Sequence, residues 1–77
     1  MNKEQMGERI RELRKSHNMS AEELSEKLDM SGSFIGLLER GARTASLSNV
    51  VKMSEIFNVS LDYLVLGNEG RKDGGNG

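Results

Sequence analysis

The chain has 77 residues, enough for one core and too few for two, and it contains no cysteine, which excludes a disulfide framework and a thiolate metal site. Its 11 basic and 12 acidic residues give a net charge of −1 at pH 7, which excludes a surface that holds polyanions by bulk charge alone. Charged and apolar residues alternate at helical spacing from the start, as in neither a signal peptide nor a membrane span, so a soluble cytoplasmic protein with no membrane contact is expected.

Asn2 reads as the cap of a first helix whose inner face carries Met6, Ile10 and Leu13 at i, i+4 and i+7, ending near His17 and Asn18. Ser20 followed three residues later by Glu23 is a capping box, in which each side chain satisfies the other residue's backbone donor, and it opens a second helix. Leu24 and Leu28 form the apolar stripe of that helix, and Met30 falls in the connection after it. Ser31 offers another N-cap, Ile35 and Leu38 supply the inner face of a third helix, and Gly41 can take the left-handed conformation that ends it. Helices this short do not stand alone.

Ser46 caps a fourth helix whose expected core face is Leu47, Val50, Val51, Met53 and Phe57, and Ser60 caps a short fifth with Leu61, Leu64 and Val65. The domain is expected to span residues 1–66, with the helix-turn-helix at about 20–40. Residues 67–77 are rich in glycine and charge and have nothing apolar to bury, so a flexible tail is expected.

Leu-Arg at 13 and 14, Ser-x-x-Glu-Leu at 20 to 24, Glu-Arg-Gly at 39 to 41 and Val-Ser-Leu-Asp-Tyr-Leu at 59 to 64 together resemble the Xre-type, lambda-repressor-like helix-turn-helix family of bacterial and phage regulators. The resemblance covers roughly residues 6 to 67 and implies an all-α, compact five-helix DNA-binding domain. It further implies sequence-specific binding of double-stranded DNA by a homodimeric transcriptional repressor of bacterial, phage or mobile-element type. The ordered chain would serve wholly as the DNA-binding domain, with no sensor. In relatives with this pattern, the residues matching Arg14 and Glu39 form a largely buried ion pair tying the first helix to the third.

Candidate phosphate contacts are Ser20 and Ala21 at the positive end of the second helix's dipole, Ser31 opening the third helix, and Arg40, Arg43 and Thr44 around its end. Candidate base-edge contacts are Gly32, Ser33, Phe34 and Leu37, of which Ser33 alone offers a polar side chain. The family commonly places Gln, Arg, Thr or Asn at such positions and Gln where Ala21 stands, so readout here leans toward DNA shape and apolar contact with thymine methyl groups. Gly36 in mid-helix costs about 1 kcal/mol relative to alanine, which points to close approach by DNA or the second helix. Because Ile35 and Leu38 hold the inner side, at least one of Phe34 and Leu37 is expected outward, Leu37 in preference. Relatives also carry alanine at Ser25 and glycine at Asp29; both departures are tolerable, since serine is small and aspartate visits the left-handed region readily.

Tyr63 and Val65 on the last helix are the candidate dimer interface. The alternative reading is a helix-turn-helix scaffold that grips a protein partner, as an interaction module or antitoxin, through Phe34 and Leu37. No enzyme is expected: the one histidine, His17, stands at a helix end without a cysteine or paired carboxylates, so no catalytic residue, metal or cofactor is assigned.

Overall fold

The computed structural model describes residues 2–68, which form α1 (Lys3–Ser16), α2 (Ala21–Leu28), α3 (Gly32–Glu39), α4 (Leu47–Phe57) and α5 (Leu61–Leu66), with no strand among the described residues. The expected tail falls outside them from residue 69 onward.

Local chemistry fixes the helix starts. The Asn2 side chain accepts from the Gln5 amide at 2.9 Å, the Glu23 amide donates to Ser20 Oγ at 3.0 Å, and the Ser20 amide donates to Glu23 Oε1 at 2.8 Å, completing the capping box. Ser46 and Ser60 accept in the same way from the amides of Asn49 and Tyr63. Ser31 departs from this pattern. It has the extended backbone of an N-cap, but its hydroxyl makes no cap bond and lies 3.3 Å from Ser33 Oγ, which leaves the opening turn of α3 without that side-chain partner.

The helix ends are equally local. Asn18, Asp29, Gly41 and Asn58 adopt positive φ, and the amides that follow, of Met19, Met30, Ala42 and Val59, donate back to the carbonyls of Arg14, Ser25, Leu37 and Ser54. These bonds satisfy carbonyls that a helix end leaves without partners.

The core joins Met6, Ile10 and Leu13 of α1, Leu24 and Leu28 of α2, Ile35 and Leu38 of α3, Val50, Met53 and Phe57 of α4, Val59 and Leu64. Two expected core residues are exposed instead: Leu47 is 75% exposed and Leu61 42% exposed. Each is the first residue of its helix, directly after the serine cap. Helical side chains lean toward the N-terminus, so a first-turn leucine projects past the end of the helix instead of onto the bundle. Val51 is only half-buried, while Ile56, absent from the expected face, packs against the core.

α3 lies between α1 and α2, and α5 packs on α4 and α1. Two contacts of α1 set these positions. A Cβ on Gly7 would overlap the carbonyl oxygens of Leu38 and Glu39, so the α1 backbone sits directly against the end of α3. Arg9 donates from Nε to the Leu64 carbonyl at 3.1 Å and from Nη2 to the Val65 carbonyl at 2.9 Å, supplying donors to the last turn of α5. The buried hydroxyls of Ser25 and Ser54 donate to the carbonyls of Glu22 and Val51, each at 2.7 Å, so neither is left unsatisfied at the helix crossings.

Candidate nucleic-acid interface

The presentation of α3 begins with a charge pair. Arg14 donates from Nε to Glu39 Oε2 at 2.6 Å and from Nη2 to Glu39 Oε1 at 3.1 Å, and its Nη1 donates to the Met19 carbonyl at 2.9 Å. The two side chains are only 14% and 9% exposed. One guanidinium thus links α1, the end of α3 and the segment leading into α2. The hydrogen bond to Glu39 holds the Arg14 pKa above the ordinary arginine value, outweighing the opposing effect of burial, with smaller attractions from Glu39 and Glu22.

With Ile35 and Leu38 buried, the opposite side of α3 carries Ser33 and Arg40, both exposed, and Gly36 and Leu37, both half-exposed. Phe34 belongs to the other set: it is half-buried and packs against the core. Leu37 is also half-buried but is not part of that packing, so the two apolar residues expected on one face separate, Phe34 to the flank and Leu37 toward solvent. This removes half of the apolar grip on which a protein-binding reading of the pair depends.

The close approach expected at Gly36 is not made by α2. A Cβ there would meet only Arg40 Nη1, at 3.4 Å. Gly32 opens the helix, and a Cβ on it would lie 3.7 Å from Glu22 Cγ, so an acidic side chain of α2 stands beside the start of α3.

Around α3, the hydroxyl of Ser20 is already engaged by the Glu23 amide, and Ser20 remains exposed at the start of α2. Ala21 is half-buried and packed against the core, leaving its backbone amide as its only donor to an anion. Ser31 is exposed before α3, and Arg43 and Thr44 are exposed in the loop that follows Gly41. An open groove of about 780 Å³ runs between α1 and α3, lined by Glu4, Glu8 and Arg11 on one side and by Gly36 and Arg40 on the other. Carboxylates therefore flank the outer side of α3 together with cations.

His17 packs its ring 5.3 Å from that of Phe57, with Nδ1 2.8 Å from the Leu13 carbonyl, at the C-cap of α1. No group of histidines and carboxylates that could hold a metal ion occurs among the described residues, and no helix among them is long and apolar enough to cross a membrane. At the far end, Tyr63 and Val65 are half-buried against the core, whereas Leu61 and Leu66 (55% exposed) are the large apolar side chains turned to solvent. Sequence reasoning missed Gly7 and Arg9 as positioning residues. Their signals were a glycine in mid-helix and an arginine three residues after Met6, one before Ile10, on the inward stripe.

Five helices, a locked ion pair and an outward-facing third helix define a class of protein. The helix-turn-helix family pattern matches residues 10–64, and the chain belongs to this family of DNA-binding transcriptional regulators, which is not a family of enzymes. Among its relatives, control protein C.BamHI of Bacillus amyloliquefaciens is 37% identical over 67 residues, covering 80% of this chain and 83% of that protein. The restriction-modification controller protein C.AhdI of Aeromonas hydrophila superposes with a TM-score of 0.72 at 33% identity, covering 79% of this chain and 92% of that one. The P22 c2 repressor, solved in complex with synthetic operator 9T, superposes with a TM-score of 0.77 at 32% identity, covering 82% of this chain and 96% of that one.

Proposed function

We propose that this protein binds an operator in double-stranded DNA as a homodimer and represses transcription, with the outer side of α3 in the major groove. The observation that carries this reading is the division of α3 into a buried side, Ile35 and Leu38, and an outward side with Ser33, Leu37 and Arg40. Ser33 and Leu37 would meet base edges, the leucine favouring thymine methyl groups. The α2 start at Ser20 and Ala21, the exposed Ser31, and Arg43 with Thr44 would hold phosphates on either side. The likeness to a repressor solved on its operator supports this placement.

Two half-sites one helical turn apart, about 34 to 36 Å, suit a dimer. The exposed Leu61 and Leu66, flanking Tyr63 and Val65 on α5, are the apolar surface proposed for its interface. The net charge of −1 and the carboxylates beside α3 imply modest affinity that falls steeply with salt.

The test is a band-shift titration against the DNA flanking the gene, repeated across salt concentrations and combined with measurement of oligomeric state. A salt-sensitive shift whose sequence preference changes in Leu37→Gln is the expected result. Absence of any shift at low salt, with a co-purifying protein in its place, would overturn the reading.

A further inference from the structure

We infer that Arg40 is the principal base-reading residue of this protein, contacting a guanine through a path over Gly36, and not one of its phosphate clamps. The inference rests on the proposal that α3 enters the major groove, and four observations carry it.

The first is direction. At about 100° per residue, Ser33, Gly36, Leu37 and Arg40 fall within roughly a 100° arc, opposite Ile35 and Leu38. Arg40 lies near the middle of this arc, although its position at the end of α3 suggests a peripheral role.

The second is reach. Arg40 Nη1 lies 3.4 Å from the position of a Cβ on Gly36, so the guanidinium has folded back one turn along the helix. That is the direction in which helical side chains lean, and it carries the charge toward the opening half of α3, where Ser33 stands. Gly36 is the one residue of the outward arc with no side chain, and it leaves the strip of helix surface that Arg40 covers. The glycine, unfavourable for the helix by about 1 kcal/mol, thereby acquires a function that neither helix packing nor backbone conformation supplies.

The third is availability. Arg9 and Arg14 use their guanidinium groups on carbonyls and on Glu39. The Arg40 side chain makes no hydrogen bond or ion pair among the described residues, although Glu4 and Glu8 line the same groove. Its fork of donors is free for a ligand.

The fourth is need. Ser33 and Leu37, the other side chains of the arc, cannot make a bidentate contact. A guanidinium over the helix surface matches guanine O6 and N7 in the major groove, the commonest specific contact in such interfaces. Backbone neutralisation has another cation in Arg43, on the exposed loop beyond Gly41.

The experiment is selection from a randomised double-stranded oligonucleotide pool with the full chain, followed by affinity measurements on the selected sequence and its single-base variants across salt. Wild type is expected to select a G·C pair at a defined position, with a loss of roughly 5- to 150-fold when that pair is changed. In Arg40→Gln the preference at that position should relax or move to A·T, because glutamine matches adenine N6 and N7. Gly36→Leu should lose the same preference with a melting temperature no lower than wild type, since leucine favours the helix and covers the strip that Arg40 needs. Arg40→Ala should leave the slope of log affinity against log salt nearly unchanged. A uniform loss across all sequences with the slope reduced by about 1 would make Arg40 a phosphate contact and overturn the inference while leaving operator binding intact. Failure of wild type to retain any sequence at low salt would overturn both.

Discussion

Two of the three arginines of α1, Arg9 and Arg14, and the two that follow Glu39, Arg40 and Arg43, have the same charge and opposite fates. Arg9 and Arg14 are consumed by the fold, one supplying donors to α5 and the other locking α3 to α1. The side chains of Arg40 and Arg43 make no hydrogen bond or ion pair among the described residues, and both are exposed after the end of α3. Arg14 thus holds α3 in place and Arg9 holds α5, while the side chains of Arg40 and Arg43 have no partner among the described residues. The net charge of the chain therefore says little about the charge at its site.

Stability and binding separate along the same line. Glu39→Ala should have the largest effect, a destabilisation of about 3 to 5 kcal/mol read from chemical denaturation, because it leaves the Arg14 charge buried without its partner. Replacing both partners with apolar residues of similar size should restore much of that loss, which would separate a cost of burial from a benefit of pairing. An unchanged denaturation midpoint in Glu39→Ala would remove Arg14 from the structural group. Arg9→Leu should cost about 1.5 to 3 kcal/mol, the range for hydrogen bonds to a charged group, and amide exchange should locate the loss in α5. Protection lost evenly across the chain would argue against its role as a local strut.

Gly7→Ala sharpens the comparison by testing the surface on which α1 meets α3. Forcing the two helices apart should cost about 1 to 3 kcal/mol, partly offset by the better helix propensity of alanine. The smallest change in stability belongs to Arg43→Ala, within about 0.5 kcal/mol in a thermal melt. The same variant should weaken DNA binding nearly uniformly across sequences and lower the salt slope by about 1. A large loss of stability in Arg43→Ala would erase the distinction between the two pairs of arginines.

The local rules were legible residue by residue. Four of the five helix starts use the cap side chain expected of them, at Asn2, Ser20, Ser46 and Ser60, and Gly41 and Asp29 take the left-handed conformations their chemistry allows. The apolar spacing of Met6, Ile10 and Leu13 and of Ile35 and Leu38 placed those side chains inward without knowledge of their partners. Leu47 and Leu61 were misplaced because periodicity reports an angle around a helix and carries no information about where along its axis the bundle stops. Phe34 and Leu37 were not separable for a related reason: they share one side of α3 beside the apolar face, and the packing of the neighbouring helices decides how far around that side the cover extends.

The helix count, the caps, most of the core and the family could be read from the chain alone, because each depends on interactions within a few residues or on a linear pattern of them. Tertiary structure decided which arginines are spent on the fold, why Gly7 must lack a side chain, and that Arg40 lies across Gly36. Those outcomes depend on distances between groups brought together by folding, or on the direction a long side chain takes once its neighbours are in place. A one-dimensional pattern encodes neither.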